Sequence, residues 1–333
     1  MTIKRLGGED TGRTLEDWLD KAGEEGLERL DLRGLDLSGR ELSGVSLLRS
    51  DLREASLAGA NLSGAKLDHI LGAGLNLEGA ELAGASFVEA QLEGANLRGV
   101  KAAETDFTAA RMGSVDLTGA VLSQTRFERT RLTGATLVDA EVEEVAWHSA
   151  DLSDGNLTGL DLSMAAFADV SFRRAKLAGA NLSWTRWHRS TLAGADLSGA
   201  DLSSMNFAEQ CLRHADLSGA KLTGAWLKGS DLRGANLTGA DLKKAKLDGA
   251  NLSGQPLDSL DTEGATLTEL ITTDAVPDRS ELDPESTAPA SAASGGGSAA
   301  GSGGGCLVLL AATGAGLSLL SASLRSVLVA LAG

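Results

Sequence analysis

The amino-acid sequence predicts a solenoid, and three observations carry that expectation. From Thr191 to Gly254 a large apolar residue stands at every fifth position: Leu192, Leu197, Leu202, Phe207, Leu212, Leu217 and onward to Leu252. A small residue sits two places before most of them, as at Ala195, Ala200, Ala215, Ala220 and Ala225. Asp, Asn or Lys usually fills the place between, and Ser, Thr or Arg followed by Gly usually comes after. A period of five fits neither the ~3.6 residues of a helical turn nor the ~2 of a flat strand. It requires a chain that turns once per repeat and brings the large and the small residue inward each time. Gly at the second place after Leu suits turns that need positive φ.

The register holds along the chain without an insertion. Residues ending in 2 or 7 read Leu27, Leu32, Leu37, Leu42 and Leu47 at the start, and still Leu257 and Leu267 at the end. Gly72, Ala102 and Thr262 lose the large side chain, while Met112 and Val142 replace it conservatively. These A(D/N)LXX repeats resemble the pentapeptide repeat family. The resemblance implies an all-β solenoid, a right-handed quadrilateral β-helix with four pentapeptides in each coil. Leu then stacks on the Leu of the coil below, and Ala fills the corner. A coil of twenty leaves its own trace, because Phe87, Phe107, Phe127, Trp147, Phe167, Trp187 and Phe207 recur at that interval. All seven fall in one column, which reads as an interior ladder of stacked rings.

In chain order, residues 1–26 form a short charged cap. Thr14-Leu15-Glu16-Asp17-Trp18-Leu19 reads as an N-cap with an acidic first turn, and Leu15, Trp18, Leu19 and Ala22 share one helical face. A short helix is therefore expected to lid the first coil, whose open end would otherwise expose backbone donors and core. The cap holds no apolar stretch of signal-peptide length, so the β-helix is expected in the cytoplasm. Residues 27–270 form the solenoid, roughly twelve coils rising about 58 Å at the usual strand spacing. Its stability comes from stacking of neighbouring coils.

The walls differ in chemistry. Outside the aromatic column stand Arg49, His69, Glu89, Arg126, Arg129, His148, Arg186, His188, Arg189, Glu209 and Lys228, with little Gly. The wall around Leu37 to Leu257, read as its neighbour, is almost all Ser/Thr-Gly. The richer wall is either a docking face or an ordinary solvated surface, and its cations and histidines are the candidate docking residues.

Residues 271–305 read as a linker, first Pro-rich and acidic, then SAASGGGSAAGSGGG. Residues 306–333 reverse the composition. From Cys306 to Leu324 no residue carries a formal charge, close to the length that spans a bilayer's ~30 Å core as a helix. Small residues at Ala312, Gly316, Gly314, Ser318 and Ala322 suit close helix packing, and Arg325 suits a membrane boundary. The expectation is a transmembrane helix; a tail that self-associates through its apolar residues is the alternative. Cys306 is a possible acylation site.

Several function classes find no support. A net charge of −16 argues against general binding to nucleic-acid phosphates. Two cysteines, Cys211 and Cys306, cannot make a disulfide framework. His69, His148, His188 and His214 lack metal-ligand spacing, and no nucleophile elbow, P-loop or zincin motif occurs. No enzyme, cofactor or metal is expected. Three readings stay open: a non-catalytic scaffold for an unidentified protein partner, tethered to a membrane or assembly by its tail; a DNA mimic that binds a topoisomerase such as gyrase, implied by a subset of the family; and a carrier for a modified or released C-terminal peptide. The second requires a continuous acidic strip. The third rests on Cys306, Thr313, Ser318, Ser321, Ser323 and Ser326, the residue types that peptide-modifying enzymes use.

Overall fold

Turns, rather than strands of ordinary length, build this molecule. The computed structural model describes residues 2–6, 10–14, 28–256 and 260–272. The chain divides into two units, Met1–Ala300 and Gly301–Gly333, and the described residues all belong to the first. From Asp31 to Ile271 single parallel bridges join residues twenty apart, as in Asp31↔Asp51, Asn61↔Glu81 and Asn251↔Ile271. Each coil thus has four walls, one pentapeptide each. In chain order we call them wall 1 (through Leu32), wall 2 (Leu37), wall 3 (Leu42) and wall 4 (Leu47, then Phe87 to Phe207). Two steps separate wall 2 from wall 4. The Ser/Thr-Gly wall is therefore opposite the aromatic wall, not beside it as expected.

Each part of the repeat satisfies one physical requirement. Leu closes a turn by accepting from the N–H three residues on, as in Ala60 N to Leu57 O at 3.0 Å. Its own N–H reaches the next coil, as in Leu57 N to Asn76 O at 2.7 Å. The residue after Leu has no such coil partner, and the preceding Asp or Asn supplies one. Asn61 Oδ1 accepts from Ser63 N at 3.0 Å, and Asp116 Oδ1 from Thr118 N at 2.9 Å. The second residue after Leu has positive φ at every described position from Arg29 to Glu269, which the third residue of a type II turn requires. The inward Leu and Ala are buried from Leu30 to Leu252, except Leu35 and Ala165, which are partly buried. Where Ser or Thr replaces the inward Ala, its hydroxyl donates to a backbone carbonyl. Thr105 reaches Leu82 O at 2.7 Å, Thr125 Ala102 O at 2.7 Å and Thr130 Phe107 O at 2.6 Å. A buried hydroxyl without such an acceptor would cost about 1–3 kcal/mol.

The two ends of the stack differ. Strand β1 (Thr2–Arg5) forms a hairpin with β2 (Asp10–Thr14) and pairs on its other side with β3 (Leu30–Asp31). Both pairings are antiparallel, with Lys4 opposite Asp31 and Arg5 opposite Leu30 at the first coil. A strand thus covers an edge where the sequence pointed to a helix. Thr14, read as that helix's N-cap, ends β2, and residues 15–27 lie outside the described residues. At the far end Leu267 and Ile271 are exposed, and Leu260, Ala265 and Leu270 are only partly buried. The linker beyond Thr272, the apolar segment 306–333 and Cys306 also lie outside the described residues. No described helix is long and apolar enough to cross a membrane.

The stack is interrupted at two successive places on walls 3 and 4. At the first, among the described residues, no bridge pairs Glu141 with Asp161, and no backbone hydrogen bond joins residues 141–147 to 160–167. Val142, Val145 and Ala165 lie partly open there. At the second, among the described residues, no bridge pairs Arg186 with Asn206, and no backbone hydrogen bond joins residues 182–190 to 201–210. The packing supplies a reason. Phe172 adds a second ring to the coil that already holds Phe167, meeting it edge-on at 4.9 Å, and Trp187 lies tilted on Phe167 at 4.6 Å. Extra volume in a filled core is relieved by backbone shifts. Between the two gaps, β4 (Ala166–Ala168) and β5 (Arg186–His188) pair in parallel over three residues.

Candidate functional site

Wall 4 stands on the aromatic ladder. Phe87, Phe107, Phe127 and Trp147 stack in sequence, with centroids 5.1, 5.4 and 5.1 Å apart. After the first gap, Phe167, Trp187 and Phe207 continue at tilted angles, the last step measuring 5.9 Å. All are buried except Trp187, which is half-buried and donates its indole N–H to Thr185 Oγ1 at 2.8 Å. The rings form the inner side of this wall.

Its outer side carries the charged residues. Arg49, His69, Glu89, Arg126, Arg129, His148, Arg186, His188, Arg189, Glu209 and Lys228 are all exposed. Arg189 grips Asp169 through two hydrogen bonds of 2.7 Å. That guanidinium holds the Asp169 carboxyl below the usual carboxylate range, with smaller contributions from His148 and His188. Arg126 faces Asp106 at 3.4 Å, and His69 faces Glu89 at 3.3 Å. Among the described residues, Arg49, Arg129, His148, Arg186, His188 and Lys228 have no side-chain hydrogen bond or ion pair. Lys246 lies 3.7 Å from the Trp226 ring centre on the same wall. The wall therefore retains uncompensated positive groups in an acidic chain.

The turn residues separate this wall from its opposite. On wall 4 every described third turn residue from Arg29 to Glu269 is non-glycine, except Gly229 and Gly249. On wall 2 every one from Gly39 to Gly239 is glycine, except Asp139. The backbone is the same, with φ 55° at Arg129 and 66° at Gly119. A side chain at this φ costs roughly 1–2 kcal/mol relative to glycine, part of which glycine returns through its extra freedom in the unfolded chain.

Two residues that sequence reasoning passed over lie around the corner on wall 3. Met164 and Trp184 take the same turn position in successive coils, with φ 65° and 61°. They are 73% and 78% exposed. The signal was present in the sequence: both follow a Leu-Ser pair at the place held elsewhere on this wall by Gly44, Gly64 and Gly84.

Other candidate chemistry is not assembled. Among the described residues no group of His, Cys, Asp and Glu could hold a metal ion. Cys211 is a buried free thiol. The acidic column of wall 3 is broken where Lys101 meets Glu81 at 2.5 Å and Lys221 meets Asp201 at 3.8 Å.

Comparison with known proteins places this geometry. The family model for pentapeptide repeats matches in 8 copies, at residues 31–68, 76–113, 110–145, 150–186, 175–212, 188–224 and 215–254. Solved structures similar to this chain include QnrB1, a plasmid-mediated fluoroquinolone resistance protein. It is 19% identical, covering 75% of this chain and 91% of its own, with a TM-score of 0.32. HetL of the cyanobacterium Nostoc sp. strain PCC 7120, a pentapeptide repeat protein involved in heterocyst differentiation regulation, is 28% identical over 78% of this chain and 94% of its own, with a TM-score of 0.22. A pentapeptide repeat protein of the Arabidopsis thaliana thylakoid lumen is 31% identical over 31% of this chain and 68% of its own, with a TM-score of 0.18. No curated protein matches.

Proposed function

We propose a function from one premise: the chain belongs to the pentapeptide repeat family, whose model matches more than half of its length. It acts as a non-catalytic scaffold that docks a protein partner on wall 4. One observation carries this reading. The chain keeps charged and histidine side chains at turn positions where glycine is the relaxed residue, and it does so along one wall while the opposite wall takes glycine. Walls 1 and 3 lie between these extremes, with Glu54, Arg174, Glu104 and Lys244 among their turn residues. Enrichment on wall 4, at a conformational cost repeated in most coils, is what a contact surface requires.

The test is site-specific photo-cross-linking of the full chain in its native extract. A photoreactive residue replaces Arg129 or Glu209 on wall 4, or Thr118 or Ser198 on wall 2. Defined adducts are expected from the wall 4 positions only. Adducts shared equally between the walls would remove the reading.

The same scaffold is tethered to a membrane or to an assembly by residues 306–333. The support is the uncharged run from Cys306 to Leu324. Carbonate-washed membranes should retain the full chain and release a version ending at Gly305. A second reading, DNA mimicry toward a topoisomerase such as gyrase, draws on the net charge of −16. It predicts inhibition in a supercoiling assay, and the lysines that interrupt wall 3 count against it.

A further inference from the structure

We propose that Met164 and Trp184, with Arg186 around the corner, form a docking site for an acidic protein segment bearing one apolar anchor. This rests on wall 4 being a docking face, and it names the partner's chemistry and the place where it is gripped.

The apolar half of the site has no structural task visible in the fold. Met164 and Trp184 project into solvent from consecutive coils, and Trp184 makes no ring or cation–π contact among the described residues. Both sit at positive φ, where a large side chain carries strain that glycine would not. Exposed Trp and Met beside Arg is the composition found at the centre of protein interfaces and rarely on free surfaces. Two residues after Met164 and Trp184 the chain enters β4 and β5, whose three-residue parallel pairing joins these two coils to each other.

The charged half selects the partner. Arg186 follows Trp184 by two residues onto wall 4 and has no ion pair among the described residues. Arg189 is already satisfied by Asp169, so the unspent charge belongs to Arg186. Glu143 and Glu144 bound the other side, on wall 3 one coil earlier, and Glu144 accepts from Gln124 at 2.8 Å. Carboxylates of a partner anchored on Trp184 are therefore steered onto wall 4. A short segment responds to this local field, since charges beyond ~8 Å are screened at physiological salt. An extended anionic surface meets the whole acidic molecule, with its net charge of −16, and is repelled. This favours a protein segment over a membrane or a nucleic acid.

The experiment selects random displayed dodecapeptides on the full-length protein. Selected peptides are then measured by fluorescence anisotropy on wild type, Trp184→Gly and Arg186→Gln. Glycine suits φ 61°, so Trp184→Gly should melt no lower than wild type, which circular dichroism checks. Expected peptides are enriched in Asp and Glu beside a large apolar residue. They should bind each variant about tenfold more weakly, with the Arg186→Gln loss shrinking at high salt. Peptides without acidic enrichment, or peptides that bind Trp184→Gly as well as wild type, would overturn the site. So would Trp184-dependent pelleting with phosphatidylserine vesicles in place of peptide binding. If wall 4 still cross-links a partner under any of these failures, the docking-wall reading stands without this site.

Discussion

On wall 2 the third turn residue is glycine at Gly119 and Gly199; on wall 4 it is Arg129 and Glu209, with φ of 55° and 60° against 66° and 64°. The backbone does not register the exchange. Turn closure, the bridge to the next coil and burial of the inward pair set the conformation, and the outward side chain follows. A solenoid of this kind leaves its outer positions open to selection for contact, at a small cost per residue. The inner sides differ in the opposite sense: wall 4 rests on stacked rings, wall 2 on leucines.

The inner difference should give the largest effect. Phe127→Ala empties a ring that stacks on both Phe107 and Trp147, and should destabilise the solenoid by about 4 kcal/mol, against about 3 kcal/mol for Leu117→Ala behind wall 2. Chemical denaturation measures both, and a Phe127→Ala loss under about 1 kcal/mol would mean the ladder is not the support of wall 4. Next comes the first gap. The amides of Leu122, Gln124 and Phe127 reach Glu141, Glu143 and Ala146 at 2.8 Å, while those of Val142, Glu144 and Trp147 reach no neighbouring coil. Hydrogen exchange should run about tenfold faster or more at the second set. Equal protection would close the gap.

The smallest effect belongs to wall 1, where polar groups are tied inward. Asp51 is buried and takes Arg53 at 2.9 and 2.6 Å. The Arg53 guanidinium holds its carboxyl below the ordinary value of 3.8. A depressed carboxyl contributes stability that is present above the unfolded value and is lost as pH falls through the lower folded one. Melting temperature should therefore fall with acid below pH ~4, and Asp51→Asn should flatten that slope. An unchanged slope would show that the pair adds nothing.

Much of this was legible in the sequence. The period, the buried column and the aromatic spacing follow from inward residues that cannot vary without leaving a hole. Positive φ was legible from glycine, although Arg129 and Trp184 show that the turn persists without it. The N-terminal strand was not, because Thr2–Arg5 carries no alternation and is held by the edge of the first coil. The first gap was not, since Val142 keeps the register and the crowding arises between Phe167, Phe172 and Trp187 from different walls. The opposition of walls 2 and 4 was legible too, since Leu37 and Leu47 stand ten residues apart, half of a twenty-residue coil. Attention to the aromatic column hid Met164 and Trp184, which stand one wall away.

The central claim is that wall 4 carries its side chains for contact and not for stability, and calorimetry of two triple variants tests it most directly. In the first, Arg49, Arg129 and Glu209 become glycine; in the second, Gly79, Gly119 and Gly199 become alanine, where nothing lies within 4 Å of an added Cβ. The account predicts that the first melts at or above the wild-type temperature. The second should lose about 1–3 kcal/mol, since alanine gains strain at positive φ and recovers only part of it from the unfolded chain. If the wall 4 variant loses as much as the wall 2 variant, those side chains hold the coils together and the docking account fails.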